Sequence, residues 1–387
     1  MKSNPLRQST NGFLPGYSSR ALRSIRQSLR LFALVCAVFF TDNIAAQSLK
    51  SVSVDSIDAI VQKHMNAKHI PGVSIAVVQK GNVVLAKGYG LANVELNVAA
   101  SPQSVYAIGS VSKQLIATGI LILAQEGKLK LDDEIHQYFP KAPQTWQGIT
   151  LRHLLSHTSG LIRESPAFDA TEVKPDSALV EAAFPLPLVF PVGTKWQYCN
   201  VGYFALADII RKVSGQSWST FMKQRVFTPL DMSTTRTTTL TEIVPNRADG
   251  YTWEKDHRHR AIAYRALRPS GAFLSTVLDL AKWDAALYTD KILTAASRKQ
   301  SWTPFVLTDG KPYPYGFGWQ IDSLQGTPRV HHGGSLPGFR SEYARFPETG
   351  LSVIVLTNAD EALPGVIAQE IATLYLRPAR SKTVSGR

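Results

Sequence analysis

Ile108-Gly109-Ser110-Val111-Ser112-Lys113-Gln114, followed by the apolar run Leu115-Ile116-Ala117-Thr118-Gly119-Ile120-Leu121-Ile122-Leu123-Ala124, is the stretch on which the reading of this chain turns. Residues 115–124 are apolar or small except at Thr118, which predicts a helix buried on nearly all sides. Residues i and i+3 of a helix share a face, so Ser110 Oγ and the Lys113 amine can meet in one pocket. Gly109 lets the backbone approach closely, and the first free N–H groups of the helix favour developing negative charge. A serine hydroxyl is a weak nucleophile until a base takes its proton. A lysine whose charged form is disfavoured by burial can be that base. Taken alone the tetrad would suit any helix surface; the flanking sequence decides.

The chain has 387 residues, 44% of them hydrophobic and 18% charged, which is ordinary globular composition with ample length for a large core. Its net charge of +13 resembles a nucleic-acid signal until it is partitioned. Lys2, Arg7, Arg20, Arg23, Arg26 and Arg30 against Asp42 place +5 in residues 1–46, and Arg377, Arg380, Lys382 and Arg387 place +4 in residues 377–387. The body carries only the remaining +4, so no phosphate-tracking surface and no nucleic-acid partner are expected. The basic leader runs into ten apolar residues, 31–40, and then Asn43-Ile44-Ala45-Ala46, which reads as a secretory signal cleaved near Ala46. Ten residues are short for a membrane span, so no stable insertion is expected after cleavage; an uncleaved anchor is the alternative. Cleavage would remove Cys36, leave Cys199 as the one thiol, and rule out an internal disulfide. Secretion or a periplasmic location follows as the expectation.

Residues 54–69 show a helical stripe at Val54, Ile57, Ile60, Val61 and Met65, ended by Pro71-Gly72. Two β-branched runs, 73–78 and 83–86, flank Lys80-Gly81-Asn82 as a hairpin. Helical patterns recur at 150–155, 203–213, 218–227 and 279–288; short strands are read at 316–321, 329–332, 341–346 and 351–358; a last helix closes the chain at about 361–376. Strands at both ends with helices between predict an α+β fold. One antiparallel sheet is flanked by N- and C-terminal helices and carries an inserted, mostly helical subdomain. The expected division is a signal peptide at 1–46, one hydrolase domain at 47–376, and a basic tail at 377–387. Within the domain, an α/β part spans about 50–105 and 300–376, and a helical part about 106–299.

Two further stretches join the first. Trp196-Gln197-Tyr198-Cys199-Asn200 puts a phenol and an amide two residues apart, and Val330-His331-His332-Gly333-Gly334-Ser335 puts a polar side chain and two glycines on a late strand. With Ser110-x-x-Lys113 these resemble the three motifs of the serine β-lactamase and penicillin-binding protein superfamily, in its class C β-lactamase-like branch. Matching flanks include Ile70-Pro71-Gly72-Val73, Leu154-Leu155-Ser156-His157-Thr158-Ser159-Gly160-Leu161, and Leu274-Ser275-Thr276 before Asp279-Leu280. The resemblance implies that Ser110 is acylated, that Lys113 helps remove its proton, and that Tyr198 acts opposite as general base or general acid. It further implies that Tyr198's ionisation is favoured by Lys113 and that Asn200 bonds Lys113 and the substrate. His332 would flank the substrate, Gly333 and Gly334 would leave room for it, and the N–H groups of Ser110 and Ser335 would form the oxyanion hole.

The departures shape the expected chemistry. Many β-lactamases of this branch have lysine at the position of His332, and a histidine is charged only part of the time near neutral pH. This points to an esterase or carboxypeptidase, and it predicts that turnover of carboxylate-bearing substrates follows the imidazole's titration. Arg340 is a candidate to hold a carboxylate in place of the missing lysine, and Cys199 a candidate for oxidation beside the site. His331 is expected on the sheet's other face, His157 in a turn shaping the pocket wall, and 256–260 in a solvated loop. No His-Glu-x-x-His or paired cysteines suggest zinc, and no cofactor is expected. An α/β-hydrolase would need Gly-x-Ser-x-Gly; Ser110 has Ser112, and Ser335 has Pro337, where the second glycine should stand. The expected partner is a small-molecule or peptide substrate: an ester, a D-amino acid peptide or a β-lactam. A D-alanyl-D-alanine carboxypeptidase, a class C-type β-lactamase and a non-enzymatic sensor of cell-wall peptides are the alternatives.

Overall fold

The computed structural model describes residues 52–237, 239, 241–262 and 269–376, all within one compact unit, Leu49–Arg387. The expected leader and basic tail lie outside the described residues. The first helix, α1 (Val54–Ala67), leads into a hairpin of β1 (Gly72–Gln79) and β2 (Asn82–Asn93), with a short β3 (Val98–Ala99). The helices that carry the argument below are α2 (Ser112–Gln125), α3 (Leu151–Ser156), α4 (Asn200–Ser214) and α5 (Val277–Ala286). The chain returns to the sheet through β4 (Gln320–Leu324), β5 (Thr327–Leu336), β6 (Phe339–Phe346) and β7 (Leu351–Thr357), and ends in α6 (Pro364–Tyr375).

The strands form one seven-stranded sheet in the order β4-β5-β6-β7-β1-β2-β3. Every neighbouring pair is antiparallel, and the seam between the two ends of the chain pairs Val73 with Thr357 through Gln79 with Leu351. This is the α+β architecture expected from the sequence. Side chains alternate along β1: Val73, Ile75 and Val77 pack with Ile57 and Val61 of α1 and Ile367 and Ile371 of α6. Ala76 and Val78, with Ile354 and Leu356 of β7, face the helices on the other side. Each fully buried Val, Ile or Leu contributes about 1.5–3 kcal/mol, so both faces of these central strands are strongly specified.

Helix α2 is buried from Ser112 to Leu123, as its run of apolar and small residues predicts. Thr118, the one polar residue within 115–124, donates its hydroxyl to the Gln114 carbonyl at 2.8 Å. Helix α3 is capped by Thr150, whose side chain accepts the His153 N–H, and it stops at His157, which takes a left-handed conformation with φ 63°.

Some expectations are corrected. The strand read at 316–321 forms only from Gln320, because Gly318 turns with φ 76° against the backbone of Lys113 and Gln114. The helix read at 218–227 is α-helical over Trp218–Met222 and widens to a π turn over Lys223–Phe227. Residues 256–260 are not a plain loop: Tyr251–Glu254 and His257–Arg260 pair as a hairpin. Lys255 and Asp256 supply its two positive-φ turn positions without the Asn-Gly signature that would have announced it.

Candidate active site

Ser110 lies in a 3-10 turn, Gly109–Val111, that runs directly into α2. Gly109 has φ 51°, and a Cβ there would stand 2.6 Å from the Ser335 nitrogen, so the Ser110 turn is pressed against the backbone of β5. A side chain at Gly334 would overlap the Ile108 carbonyl oxygen, which accepts the Ser341 hydroxyl at 2.8 Å. These glycines allow two segments of the chain to touch. That corrects the expectation that Gly333 and Gly334 make room for substrate: Gly334 makes room for Ile108, and Gly333 faces Glu342 across the sheet.

Lys113 is fully buried. Its Nζ lies 3.3 Å from Ser110 Oγ and donates to Asn200 Oδ1 at 2.9 Å and to the Ser270 carbonyl at 3.0 Å. Asn200 begins α4, and its N–H donates to the Arg163 carbonyl at 2.7 Å. Its side-chain amide donates to Glu164 Oε2 at 3.0 Å, which fixes the amide so that its oxygen faces Lys113. Asn200, 87 residues along the chain from Lys113, therefore meets the Ser110-x-x-Lys113 pair.

Tyr198 joins them by a different geometry. Lys113 Nζ sits 4.6 Å from the centre of the Tyr198 ring, over its face. The hydroxyl is buried without a hydrogen bond of ordinary length, although Ser110 is near enough to act on its ionisation. Burial raises the phenol's pKa, and the opposing influences of Ser110 and the Arg163 charge are smaller. This corrects the expectation that Lys113 favours the phenolate: the resting phenol keeps its proton.

His332 is buried on the cleft side of β5, and its pKa is lowered to about 3 by burial and then by the charge of Lys113. Its Nδ1 faces the Gly333 carbonyl at 2.6 Å, an acceptor only, so Nδ1 carries the proton and Nε2 accepts the Tyr315 hydroxyl at 3.0 Å. A histidine held in this way is neutral at physiological pH. The expected titration-dependent grip on a substrate carboxylate is thereby overturned. His331 does turn to the other face, 2.8 Å from Glu342 Oε1. Ser335 is exposed at the end of the same strand.

Other candidates change role. Arg340 is tied to Asp360 at 2.7 Å and to the Leu336 and Phe339 carbonyls, so it does not reach for a substrate. Cys199 is the buried N-cap of α4: its sulfur accepts the Gly202 N–H at 3.3 Å and donates to the Ile162 carbonyl at 3.1 Å. Burial pushes the thiol up to about 12, which leaves it protonated and unreactive. His157 is a turn residue as expected. Its Nδ1 accepts the Cys199 N–H at 3.1 Å, and burial, then Lys113, holds its pKa well below the usual value. It packs within 4.4 Å of Tyr198 and 4.9 Å of Tyr315, ring centre to ring centre.

Sequence reasoning missed Glu164, Tyr315, Trp196, Arg163 and the Ser270 carbonyl. Trp196 opens the Tyr198 motif, and Arg163 and Glu164 follow the Gly160 turn, but no period or spacing marked their roles; Tyr315 and Ser270 enter through loops. Among the described residues no set of three metal-ligating side chains is gathered, and no helix is long and apolar enough to cross a membrane.

A family model described as Beta-lactamase matches residues 57–375. The chain belongs to that family. It is 28% identical over 319 residues to penicillin-binding protein 4* of Bacillus subtilis, covering 77% of this chain and 70% of that one. Among solved structures, this family member resembles an octameric penicillin-binding protein homologue from Pyrococcus abyssi with TM-score 0.74 and 27% identity, over 84% of this chain and 77% of that one. It also resembles a D-amino acid amidase from Ochrobactrum anthropi SV3 complexed with D-phenylalanine, with TM-score 0.72 and 25% identity, over 83% of this chain and 98% of that one. The fold is that of the β-lactamase and transpeptidase-like superfamily.

Proposed function

We propose that this family member is a serine hydrolase that cleaves an ester or amide bond through an acyl-enzyme on Ser110. The observation that carries the reading is the placement of Lys113 Nζ 3.3 Å from Ser110 Oγ, on a nitrogen that also donates to the carbonyl oxygens of Asn200 and Ser270. Once its ammonium has lost a proton to solvent, Lys113 can present Oγ with a lone pair, and the nitrogen carries that proton's replacement after the transfer. In the proposed step, Oγ bonds to the substrate carbonyl carbon as its proton passes to Lys113. The oxyanion is received by the N–H groups of Ser110 and Ser335. The leaving-group bond then breaks, Tyr198 gives its hydroxyl proton to the leaving atom, and Lys113 returns a proton to Tyr198; water later releases the acyl group. A buried hydroxyl without a partner suits an acid that finds its acceptor only when substrate arrives.

The neutral state of His332 supports an esterase, amidase or carboxypeptidase over an efficient β-lactamase, since the strand offers no fixed cation. The relative solved as a D-amino acid amidase favours amides among the candidates. The basic and apolar leader supports export to the periplasm or beyond, tested by whether the purified native protein begins after Ala46. Ser110→Ala is expected to lower ester turnover by roughly 10⁴-fold or more and to abolish labelling by a fluorophosphonate; either activity surviving would overturn the assignment. Persistent acylation of the wild type, with the leaving group expelled once and the acyl half never released, would favour a sensor. Turnover of a short aryl ester, a cephalosporin and a D-alanyl-D-alanine peptide side by side ranks the substrate classes.

A further inference from the structure

The site has a cation that the three motifs do not include. Most of the described arginines are bound to a carboxylate, as Arg340 is to Asp360 and Arg152 to Asp132. Arg163 is exposed, and among the described residues its guanidinium makes no ion pair and no hydrogen bond. It lies instead with Cζ 5.3 Å from the centre of the Tyr198 ring. Its backbone is fixed to the site, because its carbonyl accepts the Asn200 N–H at 2.7 Å. A guanidinium stacked on a ring leaves its fork of N–H donors at the edge, the geometry that receives a carboxylate through two parallel bonds. The neighbouring charges do not cancel it. Glu164, the adjacent carboxylate, forms no ion pair with Arg163 and instead accepts the Asn200 amide, Lys113 is buried beside Ser110, Asn200 and Ser270, and His332 is neutral. Arg163 lies within electrostatic reach of the reacting groups, since its charge opposes protonation of both Tyr198 and His157.

We propose that Arg163 is the specificity residue that receives a carboxylate of the substrate at the mouth of the cleft, so that the preferred esters or amides are anionic. The proposal rests on acyl transfer at Ser110, as set out above. It places the substrate's negative charge on the Tyr198 side of the cleft, opposite to the β5 strand where the missing lysine would have held it.

The test uses two pairs of esters, each differing only in charge. One pair carries the charge on the acyl half, para-nitrophenyl glutarate against para-nitrophenyl glutaramate. The other carries it on the leaving half, para-butanoyloxybenzoate against para-butanoyloxybenzamide. In the wild type, kcat/KM should favour the charged member of at least one pair. Arg163→Gln should lower that charged-to-neutral ratio by roughly tenfold, as the loss of a charge-assisted contact does. Arg163→Lys should retain part of the preference, because it keeps the charge without the fork. The pair that responds shows which half carries the carboxylate. A wild type without preference in either pair, or a ratio unchanged in Arg163→Gln, would overturn the proposal while continued turnover left the Ser110 reading intact. If neither pair is turned over, calorimetric binding of the four esters to the wild type and to Arg163→Gln decides: tighter binding of a charged ester, lost in the variant, supports the anion site, and equal binding removes it.

Discussion

The wall of the cleft built from α2 and the start of α4, and the wall built from β5 and its aromatic neighbours, are both buried, yet they handle charge in opposite ways. On the first, Lys113 is surrounded by Ser110, Asn200 and the Ser270 carbonyl, and Glu164 holds the amide in place. On the second, His332, Tyr315, His157 and Trp196 pack as neutral rings, with Tyr198 between the two walls. The difference lies in the partners that each buried group is given. A buried amine given oxygen acceptors has partners for its N–H bonds, whereas a buried imidazole given one carbonyl, one hydroxyl and a nearby ammonium sheds its charge. Histidine in the place of lysine therefore converts one wall from electrostatic to aromatic recognition.

Three measurements test this contrast. The largest effect is expected beneath the aromatic wall, where His332 pairs across the strands with Tyr343, whose hydroxyl donates to Asp284 at 2.7 Å. Asp284 also binds Arg345, and both side chains are almost wholly excluded from solvent. Asp284→Ala should cost about 3–5 kcal/mol in denaturant unfolding by stranding the Arg345 charge; a loss below about 1 kcal/mol would show that the pair does not stabilise this side of the sheet.

Tyr198→Phe keeps the ring between the walls and removes the hydroxyl. Turnover should fall about 10²–10³-fold with little change in stability, since the buried hydroxyl has no bond to lose in the resting protein. Full activity in the variant would transfer the proton step to another group.

The smallest effect, read per pH unit, concerns acid stability. His332 titrates at about 3 in the folded chain, and an unfolded histidine at about 6.5. The unfolded state therefore binds a proton that the folded state refuses. The resulting stabilisation is complete above about pH 6.5 and is lost as pH falls towards 3, at up to about 1.4 kcal/mol per pH unit. His157 acts in the same direction. His332→Gln should make the acid-side decline in stability shallower over that window, read by unfolding at stepped pH. An unchanged slope would mean that the imidazole is not held neutral.

The legible parts of the molecule were those with local periodicity or a defined motif. The buried helix α2, the hairpin of β1 and β2, and the late strands declared themselves through apolar spacing, and Ser110, Lys113 and Asn200 through two short motifs. The hairpin at 251–260 did not, because Lys255 and Asp256 adopt positive φ without a glycine. Arg340 looked like a substrate ligand and proved to be bound to Asp360, 20 residues away in sequence and adjacent in space. Tyr315, Trp196 and Arg163 reach the site from loops, where neither period nor spacing marks a side chain's destination.

Sequence alone established that this chain forms an α+β fold with a serine and a lysine at the head of a buried helix, because helix and strand periods and the i, i+3 relation are local. The folded arrangement decided the protonation of Tyr198, His332, His157 and Cys199. A pKa depends on which acceptors, charges and apolar walls surround an atom, and in this cleft those neighbours come from Glu164, Ser270, Tyr315 and Arg163, which only the tertiary structure brings together.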